Sequence, residues 1–205
     1  MSARKALILA ISGTIVVLFG AWYLFMRRSN FAASAREAVI AMKSQDGAAL
    51  LKYAVPDEVS CSGLNPEKMN QILAYLAKTS YKGLKEGAIK SDGDSLTGDA
   101  SITYVDDQGR DHPMGVVVNK GADGSPVMPV LTTVVSNLWR EDKTQAGTPN
   151  GALAYLNGLH RDRAFFESIG IKSIMFNPQR CFSWDELEHF LQHAYDQSMA
   201  ASKAR

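Results

Sequence analysis

The stretch Ala100-Ser101-Ile102-Thr103-Tyr104-Val105-Asp106-Asp107-Gln108-Gly109-Arg110-Asp111-His112-Pro113-Met114-Gly115-Val116-Val117-Val118 decides the fold class of this chain. Ala100, Ile102 and Tyr104 alternate with Ser101, Thr103 and Val105, the two-residue period of a strand that buries one face. Asp106 to Gly109 is a turn. Met114, Val116 and Val118 resume the alternation, with Val117 on the other face, so the two runs read as an antiparallel pair. Ala122-Asp123-Gly124 marks a second turn, since Asp-Gly is a hairpin signal. A short strand through Val127 and Met128 follows it, and a further strand is expected around Ala88 to Lys90. The centre of the chain is therefore a small antiparallel meander.

Helical periods flank it. Phe31, Ala35, Val39 and Met42 recur at spacings of four and three, which predicts an amphipathic helix over 30–43. Asn30 can cap it, or it can continue from the segment before. Ser44 to Gly47 is a break, Ala48 to Tyr53 a second short helix, and Val55-Pro56 its end, because the residue before proline avoids the helical region. Asn65-Pro66-Glu67 opens a third helix with a cap, a proline at the first helical position and an acid at the positive helix end. Met69, Ile72, Leu73, Leu76 and Leu84 are assigned to its apolar face, with Gly83 or Gly87 as the stop.

Val130 to Asp142 carries two conflicting signals. Thr132, Thr133, Val134 and Val135 are β-branched and favour a strand. The apolar pairs Val130-Leu131, Val134-Val135 and Leu138-Trp139 alternate with polar pairs, which fits a period near 3.6 and no single face of a strand. The pattern predicts a helix. Thr148-Pro149 opens another, through Leu153, Leu156, Leu159, Phe166 and Ile169 to Gly170. Ser183-Trp184-Asp185-Glu186 is a capping box. It starts a last helix whose apolar face is Trp184, Leu187, Leu191 and Ala194 or Tyr195.

Ahead of all this, Ala6 to Met26 is a run of 21 residues without a charge, bracketed by Arg4 and Lys5 and by Arg27 and Arg28. At about 1.5 Å per residue such a helix spans about 30 Å, the hydrocarbon thickness of a bilayer. A cleaved signal peptide has a shorter core and small residues at its end; this run ends Trp22-Tyr23-Leu24-Phe25-Met26. A retained single span is expected, with Trp22 and Tyr23 at an interface. The flanking charges nearly balance, so orientation rests on the general habit of short-tailed single-span proteins, which places the large domain on the extracytoplasmic side.

The organisation expected is a short tail over 1–5, a transmembrane helix over 6–26, an α+β domain over 29–142 and a C-terminal helical extension over 143–205. With 46% hydrophobic and 21% charged residues the composition is that of a folded globular chain. A net charge of +1 supplies no basic surplus for phosphate, which argues against a nucleic-acid partner. Cys61 and Cys181 make an even pair, compatible with one disulfide in an oxidising compartment or with two buried thiols.

The segments Ala35-Arg36-Glu37-Ala38-Val39, Asp46-Gly47, Leu50-Leu51 and Pro56-Asp57-Glu58, followed by the hairpin signals at Asp106 to Arg110 and Asp123-Gly124, resemble the cone-shaped α+β fold of the nuclear-transport-factor-two-like superfamily. The resemblance is one of layout and covers Phe31 to Glu141. That fold usually has about four long strands, of which two are clear here, and the helical tail after Thr148 is not part of it. A single span ahead of such a domain also looks like inner-membrane assembly components of type IV secretion systems, which are scaffold proteins. Enzymes of the superfamily use an Asp or a His-Asp pair, often with Tyr, inside the cone. The resemblance makes Tyr53, Asp57, Tyr81, Tyr104 and His112 the parts to inspect.

Other chemistry is sparse. His189 and His193 lie four apart on one side of the last helix, half of a zinc site, with His112 or His160 as further donors. Phe190 stands where the metalloprotease motif needs glutamate, so a solvated helix face is the plainer reading. Cys181 precedes a helix N-terminus, which lowers a thiol pKa, but no base stands near it in sequence. No Gly-rich phosphate loop, Cys-x-x-Cys or Gly-x-Ser-x-Gly occurs, and no cofactor is implied. The expectation is a membrane-anchored interaction or assembly protein with a protein partner or a second copy of itself. The alternative is a tethered small-molecule binder or enzyme using the cavity of the cone.

Overall fold

The computed structural model describes residues 31–139, 149–177 and 180–203. The expected span over 6–26 lies outside these, as do Asn30 and Thr148; among the described residues no helix is long and apolar enough to cross a membrane. The architecture is α+β. Helix α1 (31–43) is followed by α2 (Gly47–Leu51), α3 (Pro56–Ser62) and α4 (Pro66–Ser80), then strands β1 (Lys85–Gly93), β2 (Thr97–Val105), β3 (Asp111–Lys120) and β4 (Pro126–Val127). Helices α5 (Val130–Trp139) and α6 (Pro149–Ser168), a hairpin of β5 (Ser173–Asn177) and β6 (Arg180–Ser183), and α7 (Trp184–Lys203) complete it.

The four-stranded sheet is antiparallel throughout, in the order β1-β2-β3-β4. Its inner face is the alternation read above: Ala100, Ile102 and Tyr104 of β2 and Met114, Val116 and Val118 of β3 are all buried. Val117, on the other face, is half exposed. Helices α1 and α4 fill the inner side with Ala35, Ala38, Val39 and Met42 and with Met69, Ile72, Leu73 and Leu76. Each of the larger of these contributes about 1.5–3 kcal/mol by leaving water. Helix α4 begins as expected, with Asn65 accepting from the Lys68 amide and Pro66 at the first position. It ends at Ser80, so Leu84 does not belong to its face but follows in the connection to β1.

Residues 130–139 are helical, and the reason is packing. Val130, Leu131, Val134, Val135, Leu138 and Trp139 are buried. β-branched residues cost a helix at most about 0.7 kcal/mol each, less than their burial returns. Three elements are not legible in the sequence, α3 and the strands β5 and β6. Val55-Pro56 does not simply end α2; Pro56 opens α3, with Asp57 and Glu58 in its first turn. The C-terminal extension is not purely helical, because β5 and β6 pair between α6 and α7.

The extension shares the core of the preceding elements. Leu159 and Phe166 of α6 and Trp184 and Leu187 of α7 belong to the same apolar cluster as the sheet. Gly158 allows the closest approach: a Cβ there would stand 2.3 Å from Trp139 Cγ. One turn further, buried Asp162 accepts from Trp139 Nε1 at 2.9 Å and Tyr75 Oη at 2.8 Å and is paired with Arg161. That carboxylate ties α4, α5 and α6 together. Cys61 of α3 and Cys181 of β6 form a disulfide, with Cα atoms 5.9 Å apart. The α7 capping box is complete: Glu186 accepts from the Ser183 amide at 2.8 Å, and the Glu186 amide donates to Ser183 Oγ at 3.3 Å.

Candidate functional site

The structure brings Tyr104, His112 and Tyr81 to one end of the β2–β3 ladder and leaves Tyr53 and Asp57 away from them. Tyr104 pairs with His112 at the Asp106 turn end of the β2–β3 ladder. Tyr53 bonds through its carbonyl to the amide of Met128, beside β4, which pairs with Asn119 at the other end. Each is also occupied where it stands. Tyr104 packs on Tyr81, ring centroids 4.7 Å apart, and the Tyr81 hydroxyl donates to the Pro113 carbonyl at 3.4 Å. Burial pushes both phenols above their ordinary range, so neither is a ready base. The Tyr53 hydroxyl donates to Glu37 Oε2 at 2.7 Å, and burial with that carboxylate raises its pKa as well. Asp57 is exposed on α3.

His112 lies at the rim, 3.2 Å from Asp106. The Asp106 carboxylate is held well below the usual range, first by the Arg110 amide and then by the Arg110 side chain, His112 and the Gln108 amide. This is a pinned turn. His189 and His193 are both exposed on α7. His160 meets Glu188 at 2.8 Å, and Arg163 bridges to Asp185 and Glu188 on the same helix. Among the described residues no three His, Cys, Asp or Glu side chains stand together as a metal site. Cys181 is bonded to Cys61 and is no thiol.

Two features escaped the sequence reading. The first is Glu58, fully buried on α3. Its Oε1 accepts from the amide of Thr132 at 3.2 Å, at the N-terminus of α5, where the amides of Val130 and Leu131 also face it. Pro129 precedes α5 and has no side chain that can cap, so a carboxylate from another helix does that work. Oε2 has no partner among the described residues. Burial pushes the carboxyl up to about 7, and the α5 amides offset only part of that. Proline at the first position of α3 with two acids after it was the available signal.

The second is a recess of about 330 Å³ between α5 and the outer side of β2 and β3, lined by Asp99, Ser101, Val117, Thr132, Thr133 and Ser136 among others. Asn137 of α5 grips the edge of β3 here: the Gly115 amide donates to its Oδ1 at 2.9 Å, and its Nδ2 donates to the Gly115 carbonyl at 2.8 Å. By the two-residue period the N–H and C=O of Val117 point to the same edge. The β3–β4 register stops at Asn119, so among the described residues no strand covers Val117 between Asn137 and β4. The recess thus offers an open backbone donor and acceptor, four hydroxyls, one carboxylate and a half-exposed valine. Such groups can hydrogen-bond a polar chain.

No family model, curated protein or solved structure matches the chain.

Proposed function

We propose that this protein is a membrane-anchored interaction or assembly module without catalytic activity. Residues 6–26 form its single span, and its α+β part, laid out like the nuclear-transport-factor-two-like cone, presents a surface to a protein partner or a second copy. The observation that carries this reading is the open Val117 position of β3 within the recess against α5. An exposed backbone pair beside an apolar side chain is the kind of feature that another polypeptide satisfies. The alternative, an enzyme or small-molecule binder using the interior, is disfavoured by Ile102, Met114, Met69 and Leu73, whose side chains are fully buried there, and by the separation of Tyr53 from Tyr104 and His112. The Cys61–Cys181 disulfide supports an extracytoplasmic domain, since such bonds persist in oxidising compartments.

Co-purification of the intact protein from membranes tests this, with Val117→Glu and a variant whose 6–26 segment is exchanged for an unrelated span. Partners or self-association lost in Val117→Glu, with the fold retained by circular dichroism, support the recess as the interface. Partners retained in Val117→Glu and lost on exchanging the span move recognition to the anchor and sink the proposal for the recess.

A further inference from the structure

We infer that the end of the domain formed by the β1–β2 and β3–β4 turns lies against the bilayer, with Leu96 set into the headgroup region as a second, shallow contact. This rests on the reading of 6–26 as a span. The argument is one of chain length. From Met26, the last residue of the apolar run, to Phe31, the first of α1 described, there are five Cα steps, no more than about 18 Å even when fully extended. Whatever surrounds Phe31 must therefore be close to the membrane surface.

What surrounds Phe31 is well defined. Gly93 and Gly98 face each other across β1 and β2. A Cβ on Gly98 would stand 2.2 Å from the Phe31 carbonyl oxygen, and one on Gly93 would stand 3.0 Å from the Ala32 nitrogen. Only a pair without side chains admits the first turn of α1 so closely, and it fixes the β1–β2 tip beside that turn. Phe31, Ser34, Ser95, Leu96, Lys120 and Gly124 line one recess of about 410 Å³, so the β3–β4 turn reaches the same end. Leu96, 60% exposed at the tip, is the most exposed of the large apolar side chains among the described residues.

The contact is apolar in kind. Asp92, Asp94 and Asp123 outnumber Lys120 at this end. Asp94 accepts from the amides of Leu96 and Thr97, and Asp123 from the amide of Ser125, which braces both turns. Arg27 and Arg28 belong to the flank of the span; the described residues of the two turns add no basic surplus, so the contact made by Leu96 itself suits a zwitterionic surface.

The test uses the full chain in phosphatidylcholine vesicles containing lipids with a nitroxide high on the acyl chain. A fluorophore is placed at Ser95→Cys, beside an intact Leu96, and separately at Gln108→Cys in the β2–β3 turn at the opposite end of the ladder; the native cysteines are occupied by their disulfide. Several-fold stronger quenching at 95 than at 108, reduced by adding Leu96→Glu, is the expected result. Equal quenching at 95 and 108, in protein that resists carbonate extraction, overturns the inference while leaving the anchor. Release by carbonate overturns the anchor and the inference with it. Quenching that appears only after phosphatidylglycerol is added overturns the apolar contact.

Discussion

Asn137 stands in for a strand at the edge of β3, giving Gly115 both hydrogen bonds that a neighbouring strand would supply. The same side-chain amide donates to the Thr133 carbonyl one turn back on α5, so its orientation is set from both sides. Sheet edges left open recruit other chains. Asn137→Ala opens the edge at Gly115 next to the open Val117. It is expected to cost about 1–3 kcal/mol, the penalty of unpaired backbone groups, and to raise self-association. Urea unfolding and light scattering on the same samples read the two effects.

Glu58 makes stability depend on pH in a direction opposite to the usual carboxylate. Its folded pKa is raised, from 4.5 to about 7, so the folded state holds the proton more tightly than the unfolded chain does. The contribution is fully present below about pH 4.5 and is lost as pH rises through about 7. Its full size is about 3 kcal/mol on that shift. The urea midpoint of the wild type minus that of Glu58→Gln is expected to fall across this window. A flat difference would mean that Glu58 is ionised in the folded protein at all these values.

Asp162 receives a phenol, an indole and a guanidinium while itself fully buried. Asp162→Ala strands the Trp139 and Tyr75 donors and removes the Arg161 ion pair. A loss of about 1–3 kcal/mol is expected, the penalty of a buried donor left unpaired. Asp162→Asn keeps the acceptor for one donor and is expected to lose less. Differential calorimetry of the two variants ranks them.

Gly158→Ala adds one methyl group where Trp139 already crosses α6. Overpacking of this kind costs about 1–3 kcal/mol. The variant Gly158→Ala with Trp139→Ala removes Cγ and Cδ1, two of the three Trp139 atoms that the new methyl group meets, and is expected to cost less than the sum of the two single changes. A thermal melt of the single and double variants checks the coupling.

Reduction of the Cys61–Cys181 bond releases a link across 120 residues. A loss of about 2–4 kcal/mol is expected, because the reduced chain regains the entropy that the closed loop removes from the unfolded state. Unfolding midpoints with and without dithiothreitol measure it. A double Cys→Ser variant must give the same value as reduction if the bond alone is responsible.

Much of the frame was legible because local pattern and tertiary burial agree. The period-two runs through Tyr104 and Val118, the Asn65-Pro66 start and the Ser183 to Glu186 box each state their structure within a few residues. The paired apolar pattern of Val130 to Trp139 outweighed its β-branched content for the same reason that it folds as a helix. Strands β5 and β6 were missed because Ser173–Asn177 and Arg180–Ser183 are too short to show a period between two long helices. Helix α3 was not legible because a proline marks the end of one helix and the first position of the next equally well, and Pro56 does the second. The site was least legible. Glu58 acquires its character from the α5 amides 74 residues away, and the open edge at Val117 exists only because Asn137 and β4 stop short of it. No window of sequence contains either relationship.

The disulfide has a consequence for the order of events during synthesis. Cys61 emerges 120 residues before its only possible mate, so no wrong pairing within the chain can form while it waits. The bond closes when β6 has arrived beside α3, after the sheet, α5 and α6 have been made. It acts as a latch across elements already made, ahead of α7, with no second cysteine of this sequence to compete for Cys61.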